Sequence, residues 1–145
     1  AGETLVAFRF EGYWKDVGTI DSLWEANMDL LTDNNDLQLD DPSWKIYTED
    51  ANALPAYIGP DASVDVAYIT QGCVIEGEVK HSVIFTGAKV GKGAKIIDSV
   101  LMPGVVVEDG AVVTRALVAD NVKISKDAVV GSADSKEILL QAKDI

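Results

Sequence analysis

From residue 82 onward the apolar positions follow neither a helical nor a simple strand rhythm. Ile84, Val90, Ile96, Leu101, Val107, Val113, Val118, Ile124 and Val130 succeed one another at steps of 6, 6, 5, 6, 6, 5, 6 and 6. A helical face would need steps of three and four, and a half-buried strand strict alternation. A step near six is one short strand and one turn, and three such units close one triangular coil. The segments Ser82–Ala94, Ser99–Ala111 and Ala116–Ala128 are successive copies at an offset of 17 (99 − 82 and 116 − 99). An earlier copy begins at Ala67, with Gly72 matching Gly87 at an offset of 15. Gly87, Gly93, Gly104, Gly110, Asn121 and Asp127 mark corners, because these residue types tolerate left-handed backbone. Ala94, Ala111 and Ala128 follow the second corner of each coil, where interior space is limited. The pattern predicts a mainly β fold, a parallel β-helix with room for roughly four coils between Ile58 and Gly131. Each buried aliphatic in its ladders contributes roughly 1.5–3 kcal/mol.

The first third of the chain has a different rhythm. Thr4–Phe10 is strand-like, and the strand is expected to end at Trp14. A polar corner with Asp16 and Gly18 follows, and Thr19 is placed to N-cap a helix. Ile20, Leu23, Trp24, Met28 and Leu31 fall at helical spacing and predict a helix over 20–31 with one buried stripe, ended by Asn34-Asn35. Leu37 to Pro55 is polar and turn-rich, broken at Asp40-Asp41-Pro42, and Trp44-Lys45-Ile46-Tyr47 alternates like a short strand able to dock on the helix or the coil. Ile138-Leu139-Leu140 is apolar enough to cap an open end of the coil. The organisation read from the chain is therefore 1–36 strand plus helix, 37–56 linker, 57–133 β-helix and 134–145 tail.

Charge and composition narrow the chemistry. Of 145 residues, 24 are acidic and 12 basic, a net charge of −12, which argues against nucleic acid or an anionic membrane as partner. No apolar run reaches membrane-span length, and no signal-peptide layout opens the chain. The single cysteine, Cys73, lies in an apolar run and reads as a packed, inert thiol, so a reducing cytoplasm is the simplest compartment. The chain opens at Ala1 in a strand-like stretch, which reads as the middle of a longer polypeptide, with N-terminal processing as the alternative. His81 is the only histidine and sits at a corner before Ser82. It could act as a general base, but a corner histidine is more often plain surface. One histidine cannot supply a three-histidine zinc site. Taken alone, the coil reads as scaffold, spacer or regulatory surface. Lys45 and Arg115 are candidate anion contacts, with ordinary surface charge as the simpler reading. Asp16, considered alone, is a turn former binding backbone amides.

The string Phe10-Glu11-Gly12-Tyr13-Trp14-Lys15-Asp16-Val17-Gly18-Thr19, continued by Leu23-Trp24-Glu25-Ala26-Asn27, resembles the end of the sugar-1-phosphate nucleotidyltransferase domain. Followed by a linker and hexapeptide repeats, it resembles in particular the C-terminal portion of the glucose-1-phosphate adenylyltransferase (ADP-glucose pyrophosphorylase) family. The resemblance implies a left-handed coil, and a remnant of an α/β domain ahead of it. It implies an enzyme joining ATP and glucose 1-phosphate into ADP-glucose and pyrophosphate for glycogen or starch synthesis. The coil would serve assembly and regulation, in a homotetramer or a heterotetramer with a paralogous subunit, and effectors would bind where the domains meet. The aspartate of the W-x-D-x-G-T motif, here Asp16, would help hold the catalytic Mg2+, with Trp14 and Tyr13 packing around the site and Lys15 left as surface. The family's Gly-rich nucleotide loop and its sugar-phosphate residues have no counterpart here, and Gly91-x-Gly93 belongs to the repeat. The chain alone is thus expected to be inactive and to depend on its own N-terminal catalytic domain. A relative using another sugar phosphate, a regulatory paralogous subunit and a hexapeptide acyltransferase remain the alternatives.

Overall fold

The computed structural model describes residues 2–32, 37, 39, 41–48 and 52–145. Its second half is a parallel β-helix whose strands are grouped in five rungs. The first rung holds β1 (Tyr57–Ile58) and β2 (Ser63–Ile69), and the second β3 (Val74–Ile75) and β4 (Glu78–Ile84). The third holds β5 (Lys89–Val90), β6 (Lys95–Ile97) and β7 (Val100–Leu101). The fourth holds β8 (Val106–Val107), β9 (Val112–Thr114) and β10 (Ala116–Val118). The fifth holds β11 (Lys123–Ile124), β12 (Val129–Gly131) and β13 (Leu139–Gln141). One side of the coil is the ladder β1-β3-β5-β8-β11. The other two sides form one continuous sheet, because β2 and β4 run unbroken around the corner between them.

The periodic aliphatics are its core. Ile84, Val90, Ile96, Leu101, Val107, Val113, Val118, Ile124 and Val130 are each at most 1% exposed, stacked rung on rung with Val79 and Ile75. Ala94 and Ala111 are fully buried at the expected tight position. The corner residues Gly87, Gly93, Gly104, Gly110, Asn121 and Asp127 all have φ between 58° and 73°, the left-handed region foreseen for them. At Gly131, with φ 75°, a side chain would also drive Cβ into the Thr114 carbonyl oxygen.

The offset of 15 seen in the sequence has a local cause. In rung two only Glu76-Gly77 joins β3 to β4, where rung three uses Gly91-Lys92-Gly93-Ala94 between β5 and β6. The missing pair leaves a notch between Pro60-Asp61 above and Lys92-Gly93 below. Gly77 fills this shortened corner because a Cβ there would strike the carbonyl oxygens of Ala94 and Gly91.

The 134–145 stretch, read from sequence as a cap, closes the coil. β13 pairs in parallel with β10, supplying the third side of rung five, and Ile145 exchanges backbone hydrogen bonds with Lys123 and Ser125.

Ahead of the coil, α1 (Ile20–Met28) runs into a 3-10 turn (Asp29–Leu31). The helical stretch begins and ends where the apolar stripe does, although its last turn is tighter than an α-helix. Thr19 caps it as expected: its Oγ1 accepts from the Ser22 N–H at 3.1 Å, and Ser22 Oγ accepts from the Thr19 N–H at 3.0 Å. The stop at Asn34-Asn35 lies outside the described residues.

Two expected strands do not form. Residues 2–18 contain no strand, and Leu5 and Phe8 are 96% and 89% exposed. Residues 44–47 are irregular, with Trp44, Ile46 and Tyr47 all exposed and undocked. Alternation is only half of a strand, since the ladder requires pairing with a neighbouring edge, and neither segment pairs with one. Instead, Asp41 Oδ1 accepts from the Ser43 N–H and Oγ at 2.8 and 2.7 Å, holding a turn.

Candidate functional site

The segment ahead of α1 presents its side chains alternately. Tyr13 and Lys15 turn towards α1 and are half-buried, whereas Trp14 and Asp16 are exposed. Tyr13 Oη donates to Asp29 Oδ2 at 2.9 Å, and Lys15 Nζ donates to the same oxygen at 2.9 Å while lying 3.4 Å from Glu25 Oε2. Lys15 is therefore not the plain surface residue expected from sequence; the period-two backbone turns it onto the acidic end of the helix. The Lys15 hydrogen bond holds the Asp29 carboxyl below the usual carboxylate range, with a smaller contribution from Tyr13 working against burial. The same bond raises the Lys15 ammonium, and burial followed by the Asp29 contact raises the Tyr13 phenol.

Asp16 Oδ1 accepts from the Gly18 N–H at 3.1 Å, the turn-forming contact that its residue type allows. This is its one hydrogen bond among the described residues, and it fixes the carboxylate on an open face beside Trp14, which is 75% exposed. A hard cation such as Mg2+ takes several oxygen ligands. Among the described residues no group of three or more His, Cys, Asp or Glu side chains is arranged to hold a metal. The donor set fits one ligand of a shared site, not a complete one.

The helix joins this segment to the coil. Ile20, Leu23, Trp24, Met28 and Leu31 pack with Val83, Val100, Leu117 and Ile138. Val83, Val100 and Leu117 lie on one side of the coil in three successive rungs, pointing outward beside the inward Ile84, Leu101 and Val118. Trp24 Nε1–H donates to the Asp98 carbonyl at 2.8 Å, and the Ile138 N–H donates to Asp21 Oδ1 at 3.0 Å.

His81 belongs to this corner. Its Nδ1 lies 2.7 Å from Asp98 Oδ1 in the rung below. Val66, His81, Asp98 and Arg115 form one vertical column, all with φ between 44° and 48°. Of this third corner only His81 is read as a corner residue from the sequence; it holds no glycine, and Val66 and Arg115 are not turn formers. Arg115, a candidate anion contact, is occupied: its guanidinium lies 5.4 Å from the Trp24 ring centroid and its Nε donates to the Ser135 carbonyl at 3.0 Å. Lys45 is exposed in the linker. Cys73 is 1% exposed, with Sγ 3.2 Å from the Phe85 carbonyl, as the inert reading requires.

The other sides of the coil offer little chemistry. A shallow depression is lined by Val74, Lys89, Val106, Glu76, Glu108 and Lys126. Glu108 pairs with Lys123 at 2.7 Å. No buried side-chain N or O atom among the described residues lacks a partner, so no orphaned group points to a bound ligand inside the coil.

Comparison with known proteins agrees with this division. Residues 56–139 match the model of the GlmU-like, C-terminal hexapeptide family. The chain belongs to that family. Residues 1–33 match the nucleotidyl transferase model, and the boundary falls where the geometry changes from helix to coil. The chain is 46% identical over 145 residues to a glucose-1-phosphate adenylyltransferase of Bacillus cytotoxicus, covering 99% of this chain and 39% of that protein. It is 50% identical over 129 residues to those of Bacillus mycoides and Bacillus anthracis, covering 89% of this chain and 34% of each. The chain thus spans little more than a third of the curated relatives it matches. Among the described residues no helix is long and apolar enough to cross a membrane.

Proposed function

We propose that this chain is the C-terminal part of an enzyme that makes ADP-glucose and pyrophosphate from ATP and glucose 1-phosphate. The observation that carries the proposal is the exposed Trp14–Asp16 face, held by a capped helix on a hexapeptide coil. That is the join between the two matched families, in a chain similar over 99% of its length to a protein named glucose-1-phosphate adenylyltransferase. Asp16 supplies one carboxylate to a Mg2+ whose other ligands come from the N-terminal catalytic domain. When bound, the ion neutralises charge on the phosphates during nucleotidyl transfer. The residues seen here bind and orient. Gly18 fixes the Asp16 carboxylate, Trp14 offers an apolar wall, and the coil gives the domain a rigid base for assembly and regulation as a homo- or heterotetramer.

The test compares this chain with the full-length protein in a magnesium-dependent adenylyltransferase assay. The chain alone is expected to give no turnover, because it has no glycine-rich nucleotide loop. Asp16→Asn in the full-length protein is expected to lower kcat by more than about 100-fold, beyond the usual loss for an outer-shell partner. Turnover by the isolated chain, or full activity of the Asp16→Asn protein, contradicts the proposal.

A further inference from the structure

The last turn of α1 has an unfavourable charge arrangement. Glu25 and Asp29 sit at its C-terminal end, where the helix dipole is already negative, and no basic residue lies in that turn. A free-standing helix would be destabilised by such a pair. Here the cation comes from another segment. Lys15 reaches both carboxylates, at 2.9 Å from Asp29 and 3.4 Å from Glu25, and Tyr13 Oη shares the Asp29 oxygen. Lys15 is adjacent to Asp16 in the chain, and Tyr13 and Lys15 flank Trp14. The helix end is a socket for the segment carrying the exposed carboxylate.

The helix is itself fixed to the coil at several places. Met28 is 6% exposed against Val83, Val100 and Leu117. Trp24 is bonded to the Asp98 carbonyl and covered by Arg115, and Asp21 holds the Ile138 amide. Position is therefore passed by directional contacts from the coil to α1 and from α1 to Lys15 and Tyr13, and from Lys15 to Asp16 through the chain itself, the Asp16 side chain bonding only Gly18 among the described residues.

We propose that Lys15 and Tyr13, seated on Asp29 and Glu25, are positioning residues that set the Asp16 carboxylate for its cation by referring it to the β-helix. This rests on the reading of Asp16 as a metal ligand. The salt bridge then serves metal affinity, and the coil contributes to the reaction through a mechanical link.

The experiment measures initial rate against Mg2+ concentration in the full-length protein. Lys15→Met is expected to raise the half-saturating Mg2+ concentration by roughly 10-fold or more, the loss typical of an outer-shell partner. Lys15→Arg should restore most of it. Adding Asp29→Asn to Lys15→Met should cost little more, because the two residues act through one contact. Tyr13→Phe, which keeps the ring and the fold, should shift the same constant by about two- to tenfold, the range of one hydrogen bond. A lowered Tm with an unchanged Mg2+ dependence in Lys15→Met and Tyr13→Phe would overturn the proposal and leave a purely structural clamp. If Asp16→Asn also leaves the Mg2+ dependence unchanged, the metal-ligand reading itself fails. If Asp16→Asn shifts it and the Lys15 and Tyr13 variants do not, only the positioning proposal falls.

Discussion

Ser82 and Ser99 are fully buried, yet each hydroxyl finds one partner in its own rung and one in the rung below. Ser82 Oγ donates to the Lys80 carbonyl at 2.7 Å and accepts from the Ser99 N–H at 3.1 Å. Ser99 Oγ donates to the Ile97 carbonyl at 2.7 Å and accepts from the Ala116 N–H at 3.2 Å. The backbone turns left-handed at His81 and Asp98, just before these serines, and their hydroxyls receive the amides of the next rung. Ser99→Ala should leave the Ala116 amide without its acceptor in a dry corner, costing about 1–3 kcal/mol in urea unfolding; a loss below about 0.5 kcal/mol contradicts that accounting. At this scale the sequence was legible where one residue type has one physical use. The aliphatic ladder and the corner glycines could be read directly. Asp98 has the same tolerance as Asp127, but Val66 and Arg115 carry no such signal, because nothing in their side chains favours φ near 47°.

The helix was legible as a helix, with its cap and its stripe, but its resting place was not stated. A signal existed. Val83-Ile84, Val100-Leu101 and Leu117-Val118 are paired apolar residues on strands, where a coil side open to water would alternate. Single apolar pairs such as Val106-Val107 and Val129-Val130 also occur on the open sides, where Lys89, Lys95 and Lys123 interrupt them; an outward position kept apolar over three successive rungs marks a covered side, and α1 is the cover. The extended 4–10 stretch shows the reverse case, alternation with no partner among the described residues. The acidic end of α1 also gives the element a pH dependence. Asp29 has a depressed carboxyl in the folded state, so its contribution is present above the unfolded carboxylate pKa and is lost as pH falls through the lower folded value. Lys15 is shifted upward, so its share persists through neutral pH and fades only as pH rises past that higher value. Asp29→Asn should therefore flatten the acid limb of a stability–pH profile while changing little of its shape between pH 6 and 8. An unaltered acid limb would mean that the Lys15–Asp29 contact does not hold the segment in solution.

For the whole molecule, the two ends of the coil differ. The fifth rung is closed by its own tail through β13 and Ile145, while in the first rung Ile58, Val64, Val66 and Tyr68 remain 42–53% exposed. Removing residues from Lys136 onward would strip the partners from β10 and β11 and open a second set of unpaired edges. The truncated chain should then aggregate in size-exclusion chromatography, and a monodisperse profile would contradict this.

The helix also spans rungs two, three and four through Val83, Val100 and Leu117. Successive rungs are separated by the strand spacing of about 4.8 Å, so the outward side chains form a rack of equally spaced teeth. A body engaged with such a rack fluctuates about one tooth, and a lasting displacement along the seam means a jump by a whole one. A jump would carry the Trp14–Asp16 segment more than twice the roughly 2.1 Å reach of a magnesium–oxygen bond. On the proposed role of Asp16, lasting packing errors along this seam would be all-or-nothing for its cation, producing a mixture of engaged and disengaged molecules in place of a gradual weakening.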